Sequence, residues 1–106
     1  MNILGGSQKR WNIQMIPRTS DNRYLIGNVV VTLRQCEIVV AILNNAYKKN
    51  SAYAADLSYQ SAHTFRKTLQ VVYGKFETSN KVELQQKVLR LLQGANNEND
   101  RMETQP

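Results

Sequence analysis

Hydrophobic and polar residues change their period at Thr32. Before it, WNIQMIPR (11–18) alternates, with Trp11, Ile13 and Met15 on one parity, and YLIGNVVVT (24–32) is rich in β-branched side chains. Between them PRTSDNR collects Pro17, Ser20, Asp21 and Asn22, residues suited to turns. Alternation bounded by turn residues predicts two short strands joined by a loop. Gly5, Gly6 and Ser7 ahead of them predict a flexible entry.

From Thr32 the pattern becomes helical. Thr32 stands as an N-cap with Gln35 three positions on, the spacing of a capping box. Ile38, Val39, Ile42 and Leu43 follow at helical intervals, and Asn44, Asn45 and Lys48-Lys49-Asn50 close the segment. SAYAADL (51–57) predicts a short helix with Ser51 as its cap. The clearest helix starts at Ser61, where Phe65, Leu69, Val72 and Phe76 share one face and His63, Arg66, Lys67 and Gln70 fall mostly off it. After Thr78-Ser79-Asn80 a last helix places Leu84, Val88 and Leu91 in one stripe and ends at Gly94. The pattern thus gives two strands and then four helices of roughly 12, 7, 15 and 13 residues. The polar remainder, 94–106, is expected to be a disordered tail.

Charge narrows the function. Fourteen Lys and Arg face eight Asp and Glu, a net +6. Three of the acids, Glu98, Asp100 and Glu103, lie in the tail with Arg101 as its one base, so residues before 98 hold 13 bases and 5 acids, a net +8. A small basic body points to a polyanion, most often nucleic acid. The bland counterpart is a basic surface that serves solubility.

Catalysis finds little support. His63 is the only histidine and Cys36 the only cysteine; one belongs to a polar helix face and the other to the first turn of a structural helix. A lone His, a lone Cys and scattered acids show no metal-ligand spacing, and Gly5-Gly6 opens no phosphate loop. No enzyme activity, cofactor or metal is expected. One cysteine permits no internal disulfide, and no apolar run approaches the ~20 residues of a membrane span. A cytoplasmic protein is the expectation.

Three stretches carry a family resemblance: VTLRQCEIV (31–39), SAHTFRK (61–67) and KFETSNKVEL (75–84). They resemble the LuxR-type (GerE- or NarL-like) helix-turn-helix domains, whose loose pattern opens Leu-Thr-x-Arg-Glu-x-Glu-Val. It continues Ser-x-x-Thr-Val-Lys at the recognition helix and closes Lys-Leu-x-Val-x-Asn-Arg-x-Glu-Leu. Thr32, Arg34, Glu37 and Ile38 match the opening. From Ser61 to Leu84 the match needs no gap, through Thr64, Arg66, Lys75, Asn80, Lys81 and Glu83. The chain departs where AYAADLSYQ (52–60) requires roughly three extra residues before Ser61, so the turn is expected to be lengthened. Gln35 also stands for the usual Glu, and the usual Gly after the first long helix falls near Asn45.

The resemblance implies a mainly α fold, a four-helix LuxR-like helix-turn-helix domain over 31–93 with a short N-terminal β hairpin or arm over 1–30. It implies a sequence-specific, double-stranded DNA-binding transcriptional regulator with the third helix in the major groove. Arg66, Lys67 and Gln70 would read bases, while Ser61, Thr64, Lys48 and Lys49 would meet phosphates. The fourth helix would form a homodimer contact through Val82, Val88, Leu89 and Leu92. Thirty residues are too few for the family's usual switch domain; they would cover the helical core, pair across a dimer or bind a partner protein, with Trp11, Tyr24 and Leu25 as anchors in each case and the structural cover favoured. The competing expectation is a protein-interaction module that binds another regulator or RNA polymerase without reading DNA.

Overall fold

The computed structural model describes residues 10–104, with side chains as far as residue 94. The entry around Gly5-Gly6 lies outside the described residues. A two-stranded antiparallel hairpin is followed by four helices, in the order β1 (Tyr24–Ile26), β2 (Val29–Val31), α1 (Leu33–Asn44), α2 (Asn50–Asp56), α3 (Ala62–Phe76) and α4 (Lys81–Thr104).

Both strands lie inside the segment that the sequence pattern reads as one. Tyr24 pairs with Val31 and Ile26 with Val29, so Gly27 and Asn28 alone make the turn. Gly27 has φ +64 and Asn28 does not share the positive φ, the pattern of a type II′ hairpin turn. The first expected strand, 11–18, is corrected. Ile13–Met15 form a 3-10 turn capped by the Asn12 side chain, which accepts from the Gln14 N–H at 3.0 Å. A single bridge, Arg18 with Tyr24, remains of the expected pairing. The segment is held instead by Asn44, whose carboxamide accepts from the Trp11 N–H at 2.7 Å and donates to the Trp11 carbonyl at 2.8 Å. That long-range pairing satisfies two backbone groups that a strand partner would otherwise take.

Local chemistry sets the helix starts. Thr32 and Gln35 form the reciprocal capping box, with Gln35 N–H to Thr32 Oγ1 at 3.2 Å and Thr32 N–H to Gln35 Oε1 at 3.0 Å. Ser61 caps α3 by accepting from the Thr64 N–H at 3.2 Å. The short helix α2 begins two residues earlier than a cap at Ser51 implies, at Asn50, with Lys49 as its N-cap residue. α3 stops at Phe76 because Glu77 takes the left-handed conformation, φ 59 and ψ 48. The Thr78 N–H then returns to the Tyr73 carbonyl at 3.0 Å, which closes the helix end.

The core is apolar throughout; among the described residues no polar or charged residue is buried. Ile38 and Ile42 of α1, Phe65, Leu69, Val72 and Phe76 of α3, and Leu84 and Val88 of α4 are at most 2% exposed. Each such side chain contributes about 1.5–3 kcal/mol by leaving water. α2 packs on α3, α4 lies along α1, and the hairpin touches both α1 and α4. α4 is 24 residues long and does not end at Gly94, so helical backbone reaches Thr104 where a disordered tail was expected. An interior Gly weakens a helix by about 1 kcal/mol without breaking it, and Gly94 is not followed by Pro. Among the described residues no helix is long and apolar enough to cross a membrane.

Candidate nucleic-acid interface

α3 carries two faces fixed by its period. Phe65 anchors the inner one: it stacks on Tyr53 of α2 with centroids 5.3 Å apart, and Tyr59 of the α2–α3 connection meets it edge-on at 5.4 Å. The outer face holds His63, Arg66, Lys67 and Gln70, all exposed. Arg66, Lys67 and Gln70 thus share one unbroken 15-residue helix and are free of the core. Guanidinium, ammonium and carboxamide tips are the groups that pair with guanine and adenine edges. Val71, 51% exposed, lies beside Lys67 on the same side.

The residues expected at phosphates separate. Ser61 and Thr64 sit at the α3 N-terminus, with hydroxyls 3.1 Å apart. Both already serve the cap, and Thr64 is half-buried. Lys49 is exposed ahead of α2. Lys48 is already paired: its ammonium forms an ion pair with Asp56 and lies 5.9 Å from the Tyr53 ring centroid. It lines a cavity of about 600 Å³ between residues 10–13, α1 and the end of α2, to which Arg66, Lys67 and Gln70 do not contribute.

Residues 57–61 separate α2 from α3, and Ser58 adopts φ 61 within them. Arg34, from the first turn of α1, braces this connection. Its guanidinium lies 4.0 Å from the Tyr59 ring centroid and donates to the Ser58 carbonyl at 3.4 Å.

A groove that the sequence did not reveal flanks the outer face. It holds about 420 Å³, and Arg66, Gln70 and Tyr73 of α3 face Asn50 of α2 and Asn80 and Lys81 at the start of α4 across it. The start of α4 is tied to the α1–α2 loop and to α2, because Lys81 Nζ donates to the Lys48 carbonyl at 2.9 Å and lies 5.1 Å from the Tyr53 ring centroid. Partial burial holds the Lys81 ammonium below the usual lysine range. A sequence signal for Lys81 existed. A cation in the first turn of a helix opposes the macrodipole, and SNKVEL places one there.

The expected dimer contact is corrected at one position. Val88 is 0% exposed and belongs to the monomer core. Leu89 and Leu92 are half-buried against that core, and Val82 is half-buried at the groove. Cys36 is buried, and its desolvated thiol is pushed up to about 12, with Glu37 adding to the shift. Among the described residues no group of three His, Cys, Asp or Glu side chains is arranged to hold a metal. No family model, no curated protein and no solved structure shows a significant match to this chain.

Proposed function

We propose that the chain is a sequence-specific, double-stranded DNA-binding transcriptional regulator of LuxR-like helix-turn-helix type, with α3 as the base-reading helix. The observation that carries the reading is the exposure of Arg66, Lys67 and Gln70 together on a helix whose opposite face is locked into the core. The net +8 before residue 98 and the resemblance of 31–39, 61–67 and 75–84 to the family pattern support it. Arg66, Lys67 and Gln70 read base edges, and Ser61, Thr64 and Lys49 approach phosphates. Val82, Leu89 and Leu92 keep pairing of two copies through α4 within the proposal.

Gel shifts at two salt concentrations, on a series of genomic fragments, test this reading. Salt-sensitive binding with a preferred fragment supports it, because phosphate neutralisation makes affinity fall with salt. Absence of binding at low salt removes it. The second reading, a module that docks on another regulator or on RNA polymerase, draws on Val71, whose exposed apolar side chain shares the outer side of α3. The same gel shifts separate the two.

A further inference from the structure

The groove between α3 and the start of α4 gathers positive charge from both helices. Lys81 occupies the first position of a 24-residue helix, against its dipole, and is partly desolvated. Among the described residues no carboxylate pairs with it. Glu83, the one acid of that turn, is turned back to Ser79, accepting from its N–H and its hydroxyl at 2.9 Å each. Arg66 faces the same space from α3, and no Asp or Glu lines it. Asn50 adds a half-buried carboxamide to the lining.

We propose that this groove seats the phosphodiester backbone of the DNA strand that runs beside the bases read by Arg66, Lys67 and Gln70, with Lys81 as its positioning cation. The inference rests on the DNA-reading role of α3. The Lys48 carbonyl and the Tyr53 ring hold the Lys81 ammonium in place before any ligand arrives, so little side-chain freedom is lost on binding. A phosphate supplies the counter-charge that Lys81 lacks, because Glu83 is engaged with Ser79. The contact carries no sequence information; it fixes the register in which Gln70 and Lys67 meet base edges.

The test measures duplex affinity across a salt series for the full chain and four variants. Lys81→Gln lowers the slope of log affinity against log salt by about 0.9, the value of one lost phosphate contact, equally on preferred and scrambled duplexes. Lys81→Arg restores the slope; failure to restore it overturns the phosphate role. Asn80→Asp keeps the cap that Asn80 provides to the Glu83 N–H at 2.9 Å, yet places a negative charge in the groove, and weakens binding to every duplex. Lys87→Gln, which lies on α4 outside the groove, leaves the slope unchanged. Circular dichroism melting identifies a variant that does not fold, and if Lys81→Gln is one, Asn80→Asp decides. Wild-type slope and affinity in both Lys81→Gln and Asn80→Asp overturn the groove while leaving α3 as the reader. No binding of the unaltered chain to any duplex overturns both.

Discussion

The Arg34 guanidinium lies over the Tyr59 ring, 4.0 Å from its centroid, and so ties the start of α1 to the connection before α3. Tyr59 in turn meets Phe65 edge-on, and Phe65 stacks on Tyr53. One line of stacked groups therefore runs from α1 through the 57–61 connection and α3 to α2. It explains how a five-residue connection with Ser58 at positive φ still orients α3.

A double-mutant cycle measures that brace. Arg34→Ala and Tyr59→Leu, singly and together, should show a coupling of about 0.5–1 kcal/mol in urea denaturation, the size of an exposed cation–π contact. Additive losses would mean that the two side chains are neighbours without attraction. The ion pair of Arg34 with Glu37 at 3.6 Å is solvent-exposed and adds little.

Two glycines should respond in opposite directions. Gly27 has φ +64, and a Cβ there would stand 2.9 Å from Leu91 Cδ2 and 3.0 Å from Leu91 Cβ. Gly27→Ala thus meets both a left-handed backbone and the flank of α4, and should cost about 2 kcal/mol or more. Gly74 lies exposed inside α3 with nothing within 4 Å of an added Cβ. Gly74→Ala should stabilise by up to about 1 kcal/mol. Thermal melts of the two variants check the signs, and a melting temperature that falls in Gly74→Ala contradicts the account of α3.

Alkaline pH should loosen the fold through groups that burial keeps protonated. Cys36 rises from an ordinary 9.0 to about 12 and Tyr53 from 10.0 to about 12, in each case chiefly by desolvation. Between pH 9 and 12 the unfolded chain holds fewer protons on these groups than the folded one. Raising pH through that window therefore favours unfolding, whereas the contribution of Cys36 to stability is intact below pH 9. Urea midpoints should fall across the window, and Cys36→Ala should fall less steeply than the unaltered chain. Equal slopes would show that the Cys36 thiol ionises without penalty.

The parts of this fold legible in the sequence are those fixed by neighbours. Thr32 with Gln35 and Ser61 with Thr64 set helix starts within four residues, and the Phe65–Phe76 spacing names the buried face of α3. The hairpin was hidden because Val29, Val30 and Val31 continue the β-branched run past Gly27-Asn28, although Gly-Asn between apolar residues is itself a turn signal. The conformation of segment 11–18 is not legible from its own alternation, because it depends on Asn44, 33 positions away. The end of α4 lies beyond Gly94 because one interior Gly weakens a helix without stopping it. At the candidate site, the exposure of Arg66, Lys67 and Gln70 follows from helical period alone. The groove does not, since it needs the loop before α2 to pack on Lys81, a contact between residues 33 apart.

Pairing through α4 is testable without DNA. With Val88 in the core, the seam left to a dimer is Leu89, Leu92 and Val82, each half-buried. Sedimentation equilibrium should show self-association that Leu89→Glu abolishes while the helical circular dichroism signal persists. A concentration-independent monomer would confine α4 to the core and to the groove.

The most direct measurement is selection of binding sites from a pool of random duplexes, performed with the unaltered chain and with Arg66→Ala. The account predicts that the unaltered chain enriches a defined sequence. It also predicts that Arg66→Ala loses preference at one base pair of it, at a cost of about 1–3 kcal/mol. Failure to enrich any sequence, or enrichment of the same sequence with undiminished preference at every base pair by both proteins, would contradict α3 as the reading helix.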